Sequence, residues 1–190
     1  MENVARFVKL RMLPIWCASL LPGLYIGIAL AQNVKFPPME QLTDRDTFRV
    51  ARVTPSEQMQ IFEEIETISF DTPTSWESEL RVRRVTLGSL QEGLVLQGSQ
   101  LLCGATGNCQ TFVLRRENSK WIAMFEKEAP IASGFGFAQE SSKGIKDFVV
   151  VSNTSADSET YVIYKSDGKI YRADMCYEKT KTQVKTVSCK

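Results

Sequence analysis

Thr160-Tyr-Val-Ile-Tyr-Lys-Ser-Asp-Gly-Lys-Ile-Tyr-Arg172 is the stretch on which the fold turns. Two runs of β-branched and aromatic residues flank Ser166-Asp167-Gly168. Asp-Gly there supplies the positive φ angles of a tight primed turn, so the stretch reads as a β-hairpin. The same pattern extends outward from it. Short runs rich in Val, Ile, Phe and Tyr, separated by Gly, Asn, Asp and Ser, read as strands at 80–87, 93–98, 110–116, 121–127, 131–138, 147–153, 160–165 and 169–175. Arg116-Glu-Asn-Ser-Lys120 joins its two neighbours by a second tight turn. Trp121-Ile-Ala-Met-Phe125 and Phe148-Val-Val-Val151 are apolar on both faces, whereas a sheet with one wet face would alternate. The sheet must therefore curl strongly or fold back over itself.

Upstream, Thr54-Pro-Ser-Glu57 places a capping hydroxyl before a proline suited to the first helical position, with a glutamate able to close a capping box. Met59, Ile61, Phe62, Ile65 and Ile68 follow at helical spacing, opposite Glu57, Glu63, Glu64 and Glu66. The expectation is an amphipathic helix of about four turns, packed on a sheet. The fold class is α+β, mainly β: a curved antiparallel meander sheet with one N-terminal helix.

The first 31 residues carry a basic start (Arg6, Lys9, Arg11), an apolar stretch from Met12 to Ala31 and the small-residue triplet Ala29-Leu-Ala31. This is the build of a secretory signal peptide cleaved before Gln32. The apolar stretch is 20 residues, enough to span a bilayer, so a retained anchor stands as the alternative. Pro14, Pro22, Gly23 and Gly27 weaken that alternative by interrupting a helix. Trp16 is too bulky to precede a lipid-bearing Cys17. Residues 32–47, with Pro37 and Pro38 and no periodicity, read as a leader or linker, and 48–190 as one β-rich domain.

Composition limits the chemistry. Of 190 residues 43% are hydrophobic and none is histidine, so a core can form, while Ser-His and Cys-His nucleophile pairs and histidine zinc sites are excluded. Beyond residue 31 there remain 20 basic and 21 acidic side chains, a net charge of −1, which argues against nucleic acid or an anionic membrane as the main partner. Membrane contact is expected only if the first segment stays in place.

Four cysteines lie outside the export segment, and an even number in an exported chain reads first as disulfides. Gly104, Gly107 and Asn108 let the chain double back between Cys103 and Cys109, which pairs those two and leaves Cys176 for Cys189. A metal or redox site is the alternative, but zinc favours closer paired spacings and a redox dithiol is usually Cys-x-x-Cys. No cofactor or metal is expected.

Glu79-Leu-Arg-Val-Arg-Arg84, Leu102-Cys-Gly-Ala-Thr-Gly-Asn-Cys109, Asp147-Phe-Val-Val-Val151 and Tyr164 to Arg172 with Cys176-Tyr177 together resemble a family of uncharacterised exported bacterial proteins. The resemblance covers about half the chain. It implies export and a disulfide loop and carries no activity. Asp147–Val151 with the hairpin Tyr164–Tyr171 is also similar to a single FG-GAP repeat of β-propellers. One copy makes no propeller, and the spaced acidic residues of its calcium loop are absent.

Two groups of residues are candidates for recognition. Gly104, Ala105, Thr106, Gly107 and Asn108 form a bridged loop whose backbone amides could meet an acceptor or a strand edge. Arg81, Arg83 and Arg84, with Arg115 and Arg116 on a later strand, could converge on a carboxylate or sugar phosphate. Pairing with Glu77, Glu79 and Glu117 is the plain alternative, and strand alternation already puts Arg84 on the other face. Glu63-Glu64 and Glu126-Lys127-Glu128 would supply a histidine-free hydrolase with carboxylates. They fall on faces expected to be solvated. Asn153-Thr-Ser155 matches a glycosylation triplet that matters only in a eukaryotic secretory route. The functional expectation is an exported, non-catalytic binding or accessory domain of the bacterial envelope, its partner an unknown protein or envelope component. The carboxylate-dependent hydrolase is the alternative, and a concave pocket holding two carboxylates would favour it.

Overall fold

The Val-, Ile- and Phe-rich runs pair with their sequence neighbours because short turns leave them no other partner. In a computed structural model, which describes residues 34–66, 80–98, 103–126 and 128–189, they form two antiparallel sheets of five strands each. Residues 1–31, read as a signal peptide, and Ile68, Glu77, Glu79 and Lys127 lie outside the described residues.

The first sheet holds β1 (Leu80–Thr86), β2 (Glu92–Gly98), β3 (Cys109–Glu117) and β4 (Lys120–Ala123) in that order, with β5 (Ile131–Ala132) beside β3. The second is a pure meander of β6 (Gly134–Ser142), β7 (Ile145–Ser155), β8 (Ser158–Ser166), β9 (Tyr171–Thr180) and β10 (Val184–Val187). The described residues are thus mainly β with one short helix. The run expected as one strand from 121 to 127 stops at Ala123. From there it leaves the sheet, the Met124 amide bonding the Val113 carbonyl and the Met124 carbonyl accepting from the Tyr171 amide. Met124 is the splice between the sheets.

Turn chemistry explains the hairpins. Asn118 and Ser119 both take positive φ, 48° and 67°, which makes the β3–β4 connection a two-residue primed turn. The Asp167-Gly168 turn differs from the tight primed turn expected. Ser166 pairs with Tyr171, so four residues lie between, and only Gly168 has positive φ. Asp167 instead uses its carboxylate, Oδ1 accepting from the Lys169 and Ile170 amides at 2.9 and 3.0 Å. These bonds hold its pKa below the ordinary carboxylate value.

Helix α1 spans Pro55–Glu66. Its capping box closes as the sequence implies: Glu57 accepts from the Thr54 amide at 2.9 Å while the Thr54 hydroxyl accepts from the Glu57 amide. Ile61 and Ile65, one turn apart, are fully buried, but Met59 is 66% exposed. Two residues before Ile61 is about 200° around the helix, so Met59 points away from the stripe to which its spacing assigned it.

Pairing registers sort the faces. In the first sheet Leu94, Leu96, Phe112, Leu114 and Trp121 share a face with Arg84 and Arg116. There α1 packs, with Glu57 on Arg116 at 2.9 Å. Val95 and Val113 point the other way, toward Phe148 and Val150 of the second sheet, and all four are buried in one core. A side chain of this size contributes about 1.5–3 kcal/mol on full burial.

The outer face of the second sheet is covered by the stretch read as aperiodic leader. Val34, Phe36 and Met39 pack on Val149, Val151, Tyr161 and Tyr177, with Phe36 stacked on Tyr161 at 3.9 Å between ring centroids. Glu40 then pairs with Phe135 at the β6 edge, and the Asp46 carbonyl accepts from the Val82 amide at the β1 edge. Leu42, 3% exposed, sits in the main core between these two contacts. One strap therefore closes an edge of each sheet, which exposed strands require.

Candidate functional site

Residues 103–109 make a stapled loop between β2 and β3. Cys103 and Cys109 are disulfide-bonded and also form an isolated antiparallel bridge. Within the loop the Gly104 amide donates to the Asn108 carbonyl at 2.9 Å and the Gly107 amide to the Gly104 carbonyl at 2.8 Å. Two of the amides expected to be available to a ligand are thus spent inside the loop.

Asn108 fixes the loop to the other sheet. Its Nδ2 donates to the Asn153 carbonyl and its Oδ1 accepts from the Asn153 amide, both at 2.8 Å, so one side chain continues the hydrogen-bonding edge of β7. Asn153 answers with its own Nδ2, which donates to the Thr106 carbonyl at 3.0 Å. The residue read in sequence as a glycosylation triplet is here a clamp.

Under the loop lies a recess of about 420 Å³, where Gly104, Ala105 and Gly107 meet Gln41, Arg81, Gln97, Ser133 and Asn153. Its walls are donors and acceptors held in place by further bonds. Arg81 donates to the Leu42 carbonyl at 3.2 Å and to Asp44 at 2.6 Å. The Gln97 amide group, almost wholly buried, donates to Thr111 and to the Ala132 carbonyl, each at 3.1 Å. Among the described residues no carboxylate lines the recess.

The arginines expected to act together are separated. Arg81 alone of the five reaches the recess. Arg83 is held by Glu40 and by Asp46, its Nε at 2.9 Å from the Asp46 carboxylate. Burial alone would raise the Asp46 pKa, but the hydrogen bonds from Arg83 and Thr43 outweigh it and hold the carboxyl below its usual range. Arg115 pairs with Glu117 at 2.7 Å and reaches across to the Gly168 carbonyl. Arg84 lies on the helix side, paired with Glu92 and set over the Trp121 ring with Arg116.

The carboxylates considered for hydrolysis are dispersed. Glu63 and Glu128 are exposed, Glu64 accepts from the Ala123 amide at 2.9 Å and Glu126 pairs with Arg172. Among the described residues no three metal-ligating side chains come together.

Compared with protein-family models, curated proteins and solved structures, the chain matches none of them. What is known of the site therefore comes from its geometry. The second disulfide, Cys176–Cys189, joins β9 to the residues after β10. Two disulfides fit an oxidising compartment outside the cytoplasm. Among the described residues no helix is long and apolar enough to cross a membrane.

Gln97 and Ser133 were not singled out in the sequence, and Asn153 was marked there only as part of a glycosylation triplet. Gln97 left one signal, a lone amide at the end of the apolar run Leu94-Val-Leu96, where burial demands partners.

Proposed function

We propose that the chain is an exported, non-catalytic binding or accessory domain of the bacterial envelope, and that it takes its partner at the recess beneath the 103–109 loop. One observation carries this reading: the loop is stapled by a disulfide and clamped to β7 through Asn108 and Asn153, so it presents a fixed rim. A rim already ordered lowers the entropic cost of binding. Arg81 in the wall, with five guanidinium N–H donors, favours a partner that offers hydrogen-bond acceptors, and among the described residues that wall holds no carboxylate for acid-base hydrolysis. Export rests on the signal-like first segment and the two disulfides.

Ala105 is exposed at the rim, whereas the Thr106 hydroxyl accepts from Asn108, so Ala105 is the position to change. Ala105→Glu should leave the melting temperature unaltered and deplete the set of envelope components captured by the exported protein. An unchanged set would move recognition to another face.

A further inference from the structure

Nine arginines fall within the described residues, and six of them (Arg81, Arg83, Arg84, Arg115, Arg116 and Arg172) pair with carboxylates. The other three, Arg45, Arg49 and Arg52, follow one another in the strap before α1. All three are exposed, and none has a carboxylate partner among the described residues. Arg49 and Arg52 open onto a recess of about 760 Å³ whose floor is apolar, formed by Phe48, Val53 and Leu80. Among the described residues no acidic side chain lines it. Val50, beside these arginines in the chain, is 70% exposed.

The backbone adds an independent observation. The Val53 amide donates to the Phe48 carbonyl at 2.9 Å and the Arg52 amide to the Arg49 carbonyl at 3.1 Å, the two bonds of a Schellman turn. The left-handed position of that motif is normally glycine. Here it is Arg52, at φ 54°. A bulky cation kept at a left-handed position, without a carboxylate partner among the described residues and facing an apolar recess, is strain of the kind found at ligand sites.

We propose that this second recess, distinct from the one beneath the cysteine loop, binds an anionic amphiphile. The carboxylate or phosphate head is met by Arg49 and Arg52, and the first carbons of the chain lie on Phe48, Val53 and Leu80. Guanidinium groups suit either head by forked, charge-assisted hydrogen bonds. The apolar floor gives a reason for a chain to be attached.

The test is calorimetric titration of the exported protein with decyl phosphate below its micelle concentration. Decyltrimethylammonium and inorganic phosphate serve as comparisons, and phosphatidylglycerol vesicles are tested by co-sedimentation. Decyl phosphate should bind and the other two small probes should not. Arg49→Gln and Arg52→Gly should each weaken binding about tenfold, the scale of one lost charge-assisted bond. Arg52→Gly should at the same time raise the melting temperature by about 2 °C by relieving the left-handed backbone. Equal binding of inorganic phosphate, binding unaffected by both substitutions, or adsorption to vesicles without a response to decyl phosphate would each overturn the proposal.

Discussion

Asn108 meets both the amide and the carbonyl of Asn153, so removing its side-chain amide leaves a part-buried donor and acceptor on β7 without their partner. Asn108→Ala should cost about 1–3 kcal/mol, read by chemical denaturation. A loss within experimental error would mean that water replaces the clamp. The opposite sign is expected at Ser119, which occupies the second position of a primed turn at φ 67°. Glycine suits that position, and Ser119→Gly should stabilise by about 0.5–1 kcal/mol. At Gly136 a Cβ would stand 2.6 Å from the Pro38 carbonyl oxygen and 3.2 Å from Pro37 Cγ. Gly136→Ala should therefore lift the strap and destabilise by about 1–3 kcal/mol in the same assay. Turn residues such as Asn118 could be read from sequence because their chemistry is local. The partners of Asn108 and Gly136 lie 45 and about 100 positions away, and no local pattern announces them.

The helix start was legible for the same reason, since the capping box closes within four residues. Glu57 is held below its ordinary value of 4.5 chiefly by the Thr54 amide, with the Thr54 hydroxyl and Arg116 adding to the effect against a contrary push from burial. A carboxyl with a depressed folded pKa contributes stability above its unfolded value and loses it as pH falls through the folded one. Asp46 acts in the same direction. Stability should accordingly hold from pH 7 to 5 and decline below about 4.5, the ordinary value of Glu57. Glu57→Gln should flatten part of that decline in denaturation curves taken across the range. Strand β10 was missed because Val184-Lys-Thr-Val187 has too few apolar residues to show a period. Its place at the sheet edge is secured by Cys176–Cys189, 13 residues apart. Replacing both cysteines with alanine should cost about 2–3 kcal/mol and raise amide exchange in β10 first.

Across the whole molecule, the two dry faces of the second sheet have different origins. Phe148 and Val150 meet the first sheet, while Val149 and Val151 meet Val34, Phe36 and Met39 of the strap. The sequence shows that both faces are apolar, and a sheet folding back was the natural inference. It does not show that a proline-containing segment without periodicity covers the outer one, because an extended strap leaves neither a helical nor a strand period. The candidate site was legible only as a loop. Its depth comes from Arg81, Gln97 and Ser133, brought together by strand pairing and by the closure of one sheet on the other. The functional proposal turns on whether an envelope partner binds at this junction, separately from the recess beside Arg49 and Arg52. A photo-crosslinking amino acid placed at Ala105, and for comparison at the 97% exposed Leu90 of the β1–β2 loop, tests it in intact cells. A discrete adduct with an envelope component is expected from position 105 and none from 90; an adduct from 90 alone, or the same adduct from both, would contradict binding at the junction.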